Sequence, residues 1–206
     1  QESKRAPMYW GDQPIVEAPA YIGAAVLFLF VFALFLVKGR LKWWLVGGTL
    51  LSLLLSYGKN LGFLTDFFID YVPLYNKFRA VSSIQVILEL CIPVLAIFGL
   101  VRLFNNFEKK EEKLKALKFT AIITGGIAVL FLLFKSSFDF AGVNDGFYRQ
   151  NYGQAFMDAI KADRKSIFTQ DTIRSLILVL LSAGLIWAFL KDKLKEKWVI
   201  AAFAAI

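Results

Sequence analysis

Of the 206 residues, 58% are hydrophobic and 19% charged, and the mean hydropathy is +0.59; this balance excludes an ordinary soluble domain and predicts an integral membrane protein. The formal charge of +8 does not point to nucleic acid as a partner, because the basic residues collect in short connections between apolar runs. With no His the common Ser and Cys triads and a His-based metal cluster are excluded, and a single Cys, Cys91, excludes an internal disulfide.

The chain opens on QESKRAPMYWGDQP, with neither an initiator Met nor a signal-peptide pattern. It closes on WVIAAFAAI, nine apolar residues where about 20 are needed to cross the hydrocarbon core. It therefore reads as an internal piece of a longer protein. Ala18 to Val37 is uncharged and long enough to span, about 30 Å as a helix. Further spans are expected at Leu41 to Tyr57, Ile84 to Phe104, Ala116 to Phe134 and Ile173 to Leu190, and Trp198 to Ile206 begins a sixth. Uninterrupted apolar runs of this length satisfy their backbone only as helices. The expected architecture is an all-α polytopic transmembrane helix bundle, one domain of five spans plus the start of a sixth.

The connections KGRLK, NNFEKKEEKLKALK and KDKLKEK hold 3, 5 and 4 basic residues, half of the 24 in the chain. The positive-inside rule places these, about residues 38–42, 104–118 and 191–197, in the cytoplasm. Segments 1–17, 58–83 and 135–172 then lie outside.

That orientation puts PLYNKFRA, with Lys77 and Arg79, on the side where basic residues are disfavoured. The pair reads as interfacial anchors, as partners for Asp66 or Asp70, or as an anion site, since the guanidinium fork matches phosphate or carboxylate. Lys59 is a further basic candidate in the same outer segment. Ser82, Gln85 and Glu89 follow at helical spacing, and Arg79 extends the stripe if the helix starts early. Glu89 is the one acidic residue well inside a span, where it is either packing glue or a group for binding or proton handling. Pro93, four residues on, lacks the N–H that would bond the Glu89 carbonyl. Thr49, Ser52 and Ser56, the pair Thr120 and Thr124, and the doublet Gly125 and Gly126 read as helix-packing positions.

Between the fourth and fifth spans, FDFAGVNDGFYRQNYG has the composition of an irregular surface loop, which aromatic and acidic side chains could equally equip for sugar recognition. Tyr152 to Phe168 then patterns as an amphipathic helix lying on the outer face: Phe156, Ile160 and Ile167 make its apolar side, and Asp158, Lys161, Asp163, Arg164 and Lys165 take the others. Asp171, before Thr172, fits an N-cap for the next span. GxSxG, HExxH and GxxxxGK[ST] are absent. Outer carboxylates, Asp12, Asp66, Asp70, Asp139 and Asp145, are the remaining acid/base candidates.

The stretches YWGDQP (9–14), PAYIGAAVLFLFVFALFLV (19–37), VPLYNKFRAVSSIQVILELCIPVLAIFGL (72–100) and AIKADRKSIFTQDTIRSLILVLLSAGL (159–185) resemble the YfhO-like family of bacterial membrane proteins. Val81 stands where that family often has Pro. The resemblance implies a GT-C-like glycosyltransferase architecture in the bacterial cytoplasmic membrane. It implies transfer of a sugar from a polyprenyl-phosphate donor to a cell-envelope acceptor on the outer face, with membrane lipids as neighbours. Arg79, helped by Lys77 and Lys59, would hold the phosphate, with Gln85 and Glu89 beside it, and Asp12 would act as general base. The residues assign no cofactor and leave the metal requirement open. A transporter or lipid-handling protein built around Glu89, or a membrane scaffold subunit, are the competing classes.

Overall fold

A computed structural model describes residues 8–11, 21–77 and 81–206, with only the backbone of Lys59, Asn76, Val81 and Ser82. Eight α-helices make up the described residues, with no strand among them: α1 Ala24–Leu36, α2 Arg40–Ser56, α3 Gly62–Tyr71, α4 Gln85–Phe104, α5 Lys110–Leu133, α6 Asp145–Tyr152, α7 Gln154–Leu190 and α8 Glu196–Ala205. Three of them, α4, α5 and α7, are long and apolar enough to cross a membrane. At 13 residues, α1 is shorter than a crossing requires by itself. The N-terminal part of the expected first span, residues 18–20, lies outside the described residues.

Helix α1 is apolar all round and is accordingly the centre of the bundle. It packs against α4 on one side and against α5 and α7 on the other, while α2 lies on α4 and α5 pairs with α7. Phe28, Phe32 and Leu36 of α1 meet Leu103, Leu117, Val179 and Ile186 in one core cluster, and Phe30 and Ala33 meet Leu88, Ile92 and Leu95 in a second. The α1–α4 approach is set by Gly99, where a Cβ would stand 2.8 Å from the Cβ of Ala33 and 3.3 Å from the carbonyl oxygen of Leu29. The expected close-approach glycines, Gly125 and Gly126, meet nothing within 4 Å. They face away from the bundle, because α5 turns Thr120, Thr124 and Ala128 inward instead.

The hydroxyl stripe of α2 does pack as its spacing predicts. Thr49, Ser52 and Ser56 are buried, and the Ser52 hydroxyl donates to the Ile84 carbonyl at 2.6 Å, fastening α2 to the entrance of α4. Outward faces carry exposed apolar side chains such as Ile97, Val101, Ile122, Leu130 and Leu180. Water penalises such a belt, whereas lipid does not, so it fits a membrane-embedded bundle.

The ends of α1, α4 and α7 that precede the basic connections meet in one cluster through Leu36, Leu103 and Leu190, so these connections gather at one end. Lys110 bonds Asp192 there at 2.7 Å. In the same region the Lys113 ammonium donates to the carbonyls of Leu103 and Asn105 at 2.9 and 2.6 Å, satisfying the last acceptors of α4. Arg102 pairs with the buried Glu108 at 3.1 Å.

The segment expected to lie on the membrane surface departs from that reading. Residues 154–190 form one unbroken helix of 37 residues, so the stretch Tyr152 to Phe168 is not a separate surface helix and Asp171 is not an N-cap. From Gln154 to Gly184 no Gly or Pro interrupts the run, so the backbone has no reason to stop at the expected boundary. The helix starts instead at Gly153, whose φ of 84° ends α6 and turns the chain. Its first half extends about 28 Å beyond Thr172. The stretch expected as an irregular loop is half helical, as α6, and α3 is a further helix within segment 58–83.

Candidate functional site

Two segments 19 residues apart in the chain meet at the end of the bundle opposite the basic connections. Arg164 projects from the extended half of α7 and is 2% exposed. Its guanidinium donates a two-pronged pair of hydrogen bonds to Asp145, Nη1 to Oδ2 at 2.9 Å and Nη2 to Oδ1 at 3.0 Å, and a third from Nη1 to the Phe140 carbonyl at 2.8 Å. The Gly142 N–H donates to the same carboxylate at 2.9 Å, and the Asp145 N–H returns a bond to the Gly142 carbonyl at 3.1 Å. Burial alone pushes the Asp145 carboxyl up; the Arg164 hydrogen bonds and charge, the Gly142 N–H and nearby Lys161 outweigh it and hold the carboxyl below its ordinary value. A buried ion pair is sustained only by this kind of full hydrogen bonding.

Sequence reading placed Arg164 among the solvated faces of an amphipathic helix, and the structure corrects that. Met157, Ile160 and Arg164 are all buried at i, i+3 and i+7, so the arginine takes a place in the apolar stripe. That spacing was the available signal. Asp145, one of several acid/base candidates, is committed to this pair.

The N-terminal stretch closes the node. A Cβ on Gly142 would stand 3.2 Å from the Tyr9 carbonyl oxygen and 3.3 Å from Nη2 of Arg164, so glycine lets these groups approach without displacing either. Trp10 follows into a ring cluster, with centroids 4.9 Å from Phe140, 5.9 Å from Phe168 and 6.0 Å from Phe138. Phe131 of α5 joins through Phe168 at 6.1 Å. Phe140 holds a φ of 50°, a conformation that costs a bulky residue about 1–3 kcal/mol. The ring contacts and the Arg164 bond to its carbonyl offset that cost.

Beneath the rings a cleft of about 660 Å³ runs between α1, α5 and α7. Leu27 and Val31, Ile127 and Phe131, and Ile167 and Val179 form its walls, and Trp10 with Ile22 to Ala24 borders one end. Its volume falls within the range of small-molecule sites. Four polar side chains line it: Thr124, Asp171, Thr172 and Ser175. The two threonine hydroxyls donate to carbonyls of their own helices, Thr120 at 2.8 Å and Phe168 at 2.7 Å. Asp171 is exposed, and it is the one charged lining residue among those described.

The expected phosphate site is only partly in view. Asp12 and Arg79 lie outside the described residues, as does the side chain of Lys59. Lys77 is exposed and makes no ion pair with Asp66 or Asp70 among the described residues. Helix α4 starts at Gln85, and a 3₁₀ turn over Val81–Ile84 precedes it. Residues 82, 85 and 89 therefore do not share one continuous α-helical face. Gln85 is half-buried and Glu89 exposed; α4 turns Leu88, Ile92, Leu95 and Gly99 toward its neighbours instead. Glu89 lines no part of the cleft, and α4 continues through Pro93. Among the described residues, no group of three or more His, Cys, Asp or Glu could hold a metal.

No family model matches the chain, and neither a curated protein nor a solved structure matches it.

Proposed function

We propose that this chain is part of a polytopic membrane protein that handles a lipid at the face opposite its basic connections. Helices α1, α2, α4, α5 and α7 are the five crossings and α8 begins a sixth. By the positive-inside rule the basic end faces the cytoplasm, and the Trp10 end faces outward from a bacterial cytoplasmic membrane. The apolar cleft below the Trp10 rings is the observation that carries the lipid reading. It lies between helices that pack in the membrane, and its walls suit a hydrocarbon chain.

In its full form, the proposal follows the YfhO-like resemblance: a glycosyltransferase moves a sugar from a polyprenyl-phosphate donor to an envelope acceptor. Arg79 with Lys77 and Lys59 would neutralise the donor phosphate near the start of α4. Asp12 would take the proton of the acceptor hydroxyl. A transport reading leans on Glu89, and its exposed position outside the cleft gives that reading no support.

Two experiments test the two levels. Purified protein should carry bound lipid by native mass spectrometry, and Leu27→Trp, which fills the cleft from α1, should lose it; a wild-type protein without lipid contradicts the reading. Membranes holding the full-length protein should release polyprenyl phosphate in a sugar-dependent manner. Arg79→Ala or Arg79→Gln at matched expression should abolish that release, and a wild-type rate in both removes the phosphate role.

A further inference from the structure

The lining of the cleft distinguishes between headgroups as well as accepting a chain. Asp171 is its one charged residue among those described, and no described basic group lies within ion-pair distance of it. Ser175, one helical turn further along α7, lines the same cleft, and its hydroxyl makes no hydrogen bond among the described residues. Trp10, Phe131 and Phe168 contribute aromatic rings to the lining, with Phe168 centroids 5.9 Å from Trp10 and 6.1 Å from Phe131. A carboxylate beside aromatic rings attracts an ammonium. The unoccupied acceptors of Asp171 and Ser175 favour an ammonium that still has N–H groups to donate.

We infer that the cleft seats a lipid with a primary ammonium headgroup, of the phosphatidylethanolamine type. The chain lies between α1, α5 and α7, and the ammonium meets Asp171, Ser175 and the aromatic rings. This assignment rests on the reading of the cleft as a lipid site, and it separates the cleft from the donor phosphate expected beside Lys77 and Arg79. The lipid is then a resident or regulatory ligand of the outer half of the bundle, distinct from the sugar donor.

The test is competitive lipid retention. Purified protein is reconstituted into vesicles of equal parts phosphatidylethanolamine, phosphatidylcholine and phosphatidylglycerol, re-extracted in mild detergent, and its bound lipid is quantified by mass spectrometry. Wild type should retain phosphatidylethanolamine over both others. Asp171→Asn should lower that preference about fivefold, the scale of one partly exposed charged contact, while total lipid and thermal midpoint stay unchanged. Leu27→Trp should lower retention of all three. A preference unaltered in Asp171→Asn, or phosphatidylcholine retained as well as phosphatidylethanolamine, overturns the headgroup assignment and leaves the lipid site standing. Lipid retained by Leu27→Trp as by wild type overturns the site itself.

Discussion

Replacing Arg164 by Ala tests whether the node at the Trp10 end is an architectural lock. The substitution removes two hydrogen bonds to Asp145 and one to the Phe140 carbonyl. It leaves a carboxylate whose side chain is 10% exposed with the Gly142 N–H as its remaining described donor. Breaking one partner of such a pair costs about 3–5 kcal/mol. Much of that should appear as local undocking, because α6 packs on α7 and makes no comparable contact with the rest of the bundle. Hydrogen–deuterium exchange in detergent is the assay, read at peptides covering residues 138–152. Their exchange should accelerate by about two to three orders of magnitude, while α1 and α4 exchange as in wild type. Phe140 should then leave its φ of 50°, since the bond that holds its carbonyl is gone. The paired replacement Arg164→Met with Asp145→Leu should recover part of the protection, because it strands no buried charge. Exchange within a factor of about three of wild type in Arg164→Ala would refute the reasoning, and so would single-variant effects that simply add in the double variant.

The same pair gives a pH signature. The Asp145 carboxyl is held below its ordinary 3.8 in the folded protein, so its contribution is full above that value and is lost as pH falls through the lower folded value. Protection of residues 138–152 should collapse in that acid window, and Asp145→Asn should show weaker protection with no such transition. Gly99→Ala should destabilise the α1–α4 packing by about 1–3 kcal/mol, because the new methyl falls 2.8 Å from the Ala33 Cβ. Gly126→Ala, in open space on the same type of helix, should raise stability through helix propensity alone, by up to about 1 kcal/mol; two thermal-midpoint shifts of equal sign would count against this packing. Thr120 is fully buried with its hydroxyl unpartnered among the described residues, as is Ser182 on α7. Thr120→Val keeps the shape and removes that hydroxyl, so the thermal midpoint should rise, by about 1 kcal/mol in stability.

Apolar run length is a local property, and it determined that the chain builds apolar helices, three of them long enough to cross a membrane. The serine and threonine stripe of α2 was legible for the same reason: its spacing alone puts Thr49, Ser52 and Ser56 on one face, and that face is buried. Which face of an apolar helix meets protein and which meets lipid was not legible, because both are hydrophobic and the periodicity that marks a soluble core is erased. That ambiguity hid Gly99 as the close approach, left Gly125 and Gly126 as false candidates, and turned Glu89 outward. Arg164 shows the converse case. Its charge suggests a solvated face, and only the arrival of Asp145, Phe140 and Gly142 from another segment makes its burial affordable. The cleft belongs wholly to the tertiary structure, since α1, α5, α7 and Trp10 each supply one wall and no local pattern records their meeting.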